Sequence, residues 1–285
     1  MAKCIMLQGT SSGAGKTTIA LALCRIFKQD GYRVAPFKSQ NMTSNTARTG
    51  RGEEIAVAQW VQAYASELEP DTAMNPVILK PSAQGTQIVL NGQYHDTVNA
   101  QDLSKIKVST LLPEIMKAYA SLDESYDIIV IEGAGSPVEL NLNKNDIVNM
   151  GIATRVKAPV LLVSDIDRGG VFASLFGTIG LFEENEKNHV KATIVNRFKG
   201  NIDYFAEGIS ILEKITGVPV AGVVPHMSFN LPDEDDLIPG SGNESRGTAG
   251  DFDTDAFETE FDNIAEITRS ALNMKLIYDI LDNGI

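Results

Sequence analysis

The residues with the plainest chemical purpose stand near the start of the chain, in Gly9-Thr-Ser-Ser-Gly-Ala-Gly-Lys-Thr-Thr18. An apolar, strand-like run precedes this segment and a helical stretch follows it. At such a junction successive backbone N–H groups turn toward an anion, and the helix dipole adds to their attraction. The Gly13-Ala14-Gly15 backbone lets the chain approach phosphate oxygens, Lys16 supplies a compact cation, and Thr17 offers a hydroxyl to Mg²⁺, with Thr18 beside it. This is the P-loop arrangement, with five residues between Gly9 and Gly15 where four are usual. A second constellation is Ile128-Ile-Val-Ile-Glu132-Gly-Ala-Gly135, an apolar strand ending in a carboxylate followed by small residues. Ligands of open α/β sheets lie at the carboxyl ends of the strands, so Glu132 is expected to face the bound phosphates as a second Mg²⁺ ligand.

Positioning these groups requires a particular framework. Short β-rich runs at 3–8, 33–37, 127–131, 159–164, 191–195 and 219–224 alternate with helical stretches at 16–29, 54–67, 109–121, 171–182 and 204–216. The strand runs are continuously apolar, as in strands buried on both faces. The expected class is therefore α/β, a P-loop NTPase-type, mainly parallel sheet with helices on both faces. Residues 87–95, with Asn91-Gly92 between two β-rich arms, predict a hairpin outside the alternation. The pattern stops after Val224. These patterns divide the chain into a P-loop domain (1–236), a flexible linker of small polar residues (237–256) and a helical acidic tail (257–285). In the tail Phe257, Phe261, Ile264, Ile267, Leu272, Leu276 and Ile280 recur at near-helical spacing.

A length of 285 residues, 43% of them hydrophobic, suits one large domain with an appendage. The net charge of -13 argues against nucleic acid as a partner, since phosphate backbones select clustered Lys and Arg. From Asp233 onward there are 14 acidic and 3 basic residues, so most of the surplus lies in the last fifth of the chain. Cys4 and Cys24 fall inside core elements, which predicts packing rather than a disulfide. No apolar run reaches membrane-spanning length and no leader pattern opens the sequence, so a cytoplasmic protein with no membrane partner is expected. The three histidines are scattered without metal-ligand spacing.

Several longer stretches carry a resemblance. The loop with Glu132-Gly-Ala-Gly is similar to the dethiobiotin synthetase type of P-loop fold. Lys38-Ser-Gln-Asn-Met42, Met74-Asn-Pro-Val-Ile-Leu-Lys-Pro81, Gly133 to Leu142, Asn145 to Met150 and Ser164-Asp-Ile-Asp-Arg-Gly-Gly-Val-Phe172 narrow it to the synthetase part of the cobyric acid synthase family. The resemblance implies MgATP-dependent amidation of side-chain carboxylates on a corrin ring through an acyl phosphate. It also implies site residues. Lys38 would neutralise the substrate carboxylate or the transferring phosphoryl group; Asp165 and Asp167 would meet substrate or metal. Glu54, at the start of an expected helix, would join Thr17 and Glu132 at Mg²⁺, although the helix dipole alone favours an acid there. Asn196 matches an adenine-reading position, where an amide both donates and accepts.

That family carries a glutaminase domain with a nucleophilic cysteine, and neither Cys4 nor Cys24 is placed to serve as one. Ammonia is thus expected from solution or from a separate glutaminase. The alternatives are a MinD or ParA-like ATPase switch, which usually has an extra lysine where this chain has Thr10 and Ser11, or a non-catalytic remnant. Folds of this type often form homodimers.

Overall fold

The computed structural model describes residues 1–141, 145–231 and 254–284. Strand β1 (Lys3–Gly9) runs into the glycine-rich loop, which feeds α1 (Lys16–Gln29) and then β2 (Val34–Phe37). An excursion follows, with β3 (Gln40–Met42), β4 (Thr46–Arg48), β5 (Glu54–Ala56), α2 (Val57–Ala65), β6 (Val77–Ser82), β7 (Gly85–Leu90) and β8 (Gln93–Val98). Helix α3 (Ala100–Ile106) passes through a π-helical turn at Lys107–Leu111 into α4 (Leu112–Ser125). Regular alternation then resumes with β9 (Ile128–Glu132), α5 (Met150–Val156), β10 (Val160–Asp165), α6 (Val171–Leu181), α7 (Glu184–Lys187), β11 (Val190–Phe198), α8 (Ala206–Thr216) and β12 (Val220–Pro225). Helices α9 (Thr254–Ala271) and α10 (Met274–Asn283) end the described chain.

All six expected strands join one parallel sheet in the order β12-β11-β10-β1-β9-β2. Its strands read as unbroken apolar runs because both faces are buried. Met6, Ile129, Ile131, Leu162 and Val195 point to a core closed by α4, α5 and α6. Their neighbours Ile5, Leu7, Val130, Leu161 and Ile194 point to the opposite core, closed by α1 and α10. Each fully buried aliphatic side chain contributes about 1.5–3 kcal/mol, so the two cores hold the carboxyl edge of the sheet rigidly.

The excursion differs from expectation. The hairpin at Asn91-Gly92 forms, with both residues at positive φ (49° and 76°) as a tight primed turn requires. It belongs to a second sheet ordered β3-β6-β7-β8, however, and β6 had been hidden by Pro76 and Pro81. The helix expected from Glu54 starts only at Val57. Glu54 lies on β5, antiparallel to β4, and its N–H donates to the Gly92 carbonyl (2.9 Å), so the backbone there is extended.

The C-terminal residues form two helices broken at Asn273, whose side chain accepts from the Leu276 N–H. Phe261, Ile264, Leu272 and Ile280 are buried, whereas Ile267 is exposed. Most of the segment expected as a linker lies outside the described residues. Arg25 of α1 bonds Glu258 (2.6 Å) and Asp262 (2.8 Å) of α9, and the Asn273 N–H donates to the Ala221 carbonyl of β12 (2.7 Å).

Candidate nucleotide site

Parallel register sets the candidate groups along one edge of the sheet. Leu7 pairs with Glu132, Gly9 with Val163, Phe37 with Ile131 and Asp165 with Asn196. The loop after β1, Lys38 after β2, and the ends of β9, β10 and β11 therefore converge.

Gly13 and Gly15 adopt positive φ of 68° and 94°. Gly15 caps α1, whose first turn has no acid and no side-chain cap, a composition that favours an incoming anion. The Asn196 amide lies against this glycine and donates to the Ala14 carbonyl (3.0 Å), so the residue expected to read adenine braces the loop. The Lys16 ammonium bonds the carbonyls of Ser11 (3.2 Å) and Gly135 (3.1 Å), which ties the loop to the segment after Glu132.

Glu132 is 1% exposed and receives three donors. Its Oε1 accepts from the Thr17 hydroxyl (2.7 Å) and the Lys38 ammonium (2.9 Å), and its Oε2 from the Gln62 amide (2.8 Å). A buried carboxylate with a buried ammonium is costly unless paired and hydrogen-bonded this fully. The Asn75 amide donates to the Lys38 carbonyl (2.9 Å) and steadies that residue's backbone. Thr17 and Glu132 together present two hard oxygen donors, which fits Mg²⁺; that ion takes one or two protein oxygens and completes its shell with phosphate and water.

These groups open into a cleft of about 680 Å³, within the range of small-molecule sites. Loop residues, Lys38, Asn41 and Glu132 line one part, Lys107 and Arg197 add cations, and Phe229, Leu231 and Ile264 supply an apolar wall.

The remaining expected residues lie elsewhere. Glu54 does not line the cleft; it bonds Lys80 and the Thr46 hydroxyl. Burial pushes its carboxyl upward, but those two donors outweigh burial and hold it below the ordinary value. Asp165 bonds Arg197 (2.9 Å) and Asp167 bonds Lys199 (2.8 Å), and neither aspartate lines the cleft. The Lys199 hydrogen bond holds the Asp167 carboxyl low. Arg197, which does line the cleft, has a φ of 60°, uncommon for a residue other than glycine and a backbone conformation found often at functional sites. Burial raises both thiols, Cys24 to about 12, so neither is an activated nucleophile.

Sequence reasoning missed Gln59, Gln62, Lys107 and Arg197. A signal existed for the glutamines, which stand three apart in an otherwise apolar helical stretch, Val57-Ala-Gln-Trp-Val-Gln-Ala63.

A parallel sheet with a phosphate-cradling loop at its carboxyl edge defines a P-loop nucleotide-binding protein. The chain matches, over residues 5–236, the family model described as the CobQ/CobB/MinD/ParA nucleotide binding domain, and it belongs to that family. It is 52% identical over 238 residues to a cobyric acid synthase of Ruminiclostridium cellulolyticum, covering 83% of this chain and 46% of that protein. With the cobyric acid synthase of Lachnoclostridium phytofermentans it shares 50% identity over 242 residues, covering 83% and 47%. The chain thus spans about half the length of the curated relatives it matches. Among solved structures, MinD cell division protein from Aquifex aeolicus is similar at 15% identity and a TM-score of 0.43, covering 79% of this chain and 83% of that one. Among the described residues, no helix is long and apolar enough to cross a membrane.

Proposed function

We propose that this chain is the ATP-using half of a carbon–nitrogen ligase that amidates side-chain carboxylates of a corrinoid. The carrying observation is the fully paired Glu132, which gathers the Thr17 hydroxyl of the loop and the Lys38 ammonium at one end of a cleft. The relatives named cobyric acid synthase support a corrinoid as the substrate class.

In this reading Gly13 to Thr18 cradle the triphosphate and Lys16 bears on its terminal oxygens. Thr17 and Glu132 hold Mg²⁺, which neutralises phosphate charge when bound. A carboxylate is a poor acyl donor, so its oxygen attacks the γ-phosphorus, the bond to ADP breaks and an acyl phosphate forms. Ammonia then attacks the acyl carbon and inorganic phosphate leaves. Lys38, buried beside Glu132, holds positive charge where carboxylate and phosphoryl group meet, and catalysis rests on positioning and charge neutralisation. Arg197, fixed by Asp165, and Lys107 offer further cations to a polycarboxylate.

The test is incubation of the purified chain with MgATP and a corrinoid diamide, with ammonium chloride or glutamine, following product by mass. Amidated product with ammonium and none from Lys16→Ala supports the reading. ATP binding without product from any nitrogen donor refutes it.

A further inference from the structure

Behind the cleft wall runs a file of buried amides. Asn41 of β3, which lines the cleft, donates to the Gln59 carbonyl (3.1 Å). Gln59 donates to the Gln62 carbonyl (3.5 Å), and Gln62 donates to Glu132 Oε2 (2.8 Å) and reaches the Thr17 carbonyl (3.4 Å). All three amides are at most 4% exposed.

The sense of this file is dictated by its end. An ionised carboxylate only accepts, so Gln62 must turn its NH₂ to Glu132, leaving its carbonyl for Gln59. Gln59 must then turn its NH₂ to Gln62, leaving its own carbonyl for Asn41. Every bond points the same way, toward the negative charge, the arrangement in which successive hydrogen bonds polarise and strengthen one another. No simple packing need explains it. A helix packed between α1 and β2 is more cheaply filled by apolar side chains than by two glutamines whose every polar atom must be satisfied.

We propose that Gln59 and Gln62 are positioning residues. They form a relay through which Asn41, in the cleft wall, fixes the placement of Glu132. Occupancy of the Asn41 side of the cleft and binding of Mg²⁺-nucleotide at the loop are then energetically coupled. This rests on Thr17 and Glu132 being the metal's protein ligands, not on which substrate is amidated.

The experiment measures the affinity of the 285-residue chain for a fluorescent ATP analogue in excess Mg²⁺ and in EDTA. The proteins compared are wild type, Asn41→Ala, Gln59→Leu, Gln62→Leu and the Asn41→Ala/Gln62→Leu double variant, each with its thermal midpoint. A buried amide left unpaired changes an equilibrium by about one order of magnitude. Gln59→Leu, which removes hydrogen bonds to Asn41 and Gln62 but none to the loop or Glu132, is therefore expected to weaken binding about tenfold in Mg²⁺ and to leave binding in EDTA unchanged. Because Asn41 and Gln62 act through one file, the double variant is expected to be no weaker than the weaker single, whereas independent residues would add.

Equal losses with and without Mg²⁺, additivity in the double variant, or wild-type affinity in Gln59→Leu would each overturn the relay. Should Gln59→Leu fail to fold, Asn41→Ala and Gln62→Leu carry the same comparison. If wild type binds no tighter in Mg²⁺ than in EDTA, the metal reading of Thr17 and Glu132 falls with it. A Mg²⁺ effect of wild-type size in every variant sinks the relay alone.

Discussion

Replacing Lys38 with Met removes the cation from a buried pair and tests whether charge, rather than shape, holds the site together. The ammonium stands 2.9 Å from Glu132 Oε1, and the two residues are 4% and 1% exposed. At that separation the attraction is about 6 kcal/mol with an effective dielectric constant of about 20. Part of this is recovered, because the ammonium no longer has to be desolvated and Glu132 keeps Thr17 and Gln62. The expected loss is therefore about 3–5 kcal/mol, as for other buried pairs broken on one side. For a chain of this size it lowers the melting midpoint by roughly 5 to 8 °C. Urea unfolding followed by the fluorescence of Trp60, the one tryptophan, measures it directly. Adding Glu132→Gln to Lys38→Met removes both charges in nearly the same volume, and most of the stability should return. A Lys38→Met chain within about 1 kcal/mol of wild type, or a double variant as unstable as the single, would refute the electrostatic account.

Gly15→Ala places a Cβ 2.0 Å from the Asn196 amide at a φ of 94°, so nucleotide affinity should fall by more than about tenfold. Gly31→Ala, at φ 92° with nothing near, is strained without touching the loop and should leave affinity intact in the same titration. Gly222→Ala meets the Ala271 carbonyl at 2.2 Å, so α9 and α10 should become cleavable in limited proteolysis before the sheet does. The carboxyl of Glu54 is held below its usual value of 4.5, so its stabilising contribution is present above that value and is lost as pH falls through the lowered one. Wild type should accordingly be more stable than Glu54→Gln near neutral pH, with the difference closing in acid denaturation scans; a pH-independent difference would exclude the Lys80 bond as its source.

Much of the fold was legible because the central strands are buried on both faces. Ile128 to Ile131 alternate between two cores and so read as one apolar run, the pattern that also placed Glu132 at a strand's carboxyl end. The excursion was less legible. β3, β4 and β5 have three residues each, too short for any periodicity, and Pro81 sits within β6. For the site, the placement of the loop and Glu132 at the sheet's carboxyl edge could be read locally, because it follows from spacing along the chain. Asp165 and Asp167 could not. Whether a strand-end aspartate faces a ligand or a neighbouring strand's cation depends on Arg197 and Lys199, some thirty residues further along, on β11 and just beyond it.

The position of the acidic C-terminal helix follows from the same logic of shared elements. Helix α1 starts at the phosphate loop and packs its apolar side, including Leu23 and Phe27, on the sheet. Its outer side carries Arg25, only 6% exposed, and a buried guanidinium demands anions. Glu258 and Asp262, one helical turn apart on α9, meet that demand, and Arg269 returns the charge to Asp30 beyond the end of α1. Part of the acidic surplus of the C-terminal segment is thus specific pairing. Because α9 also brings Ile264 to the cleft beside Leu21 and Val61, the helix that follows the phosphate loop is held between the sheet and α9. The placement of the loop and the apolar wall of the cleft are therefore set by one packing arrangement.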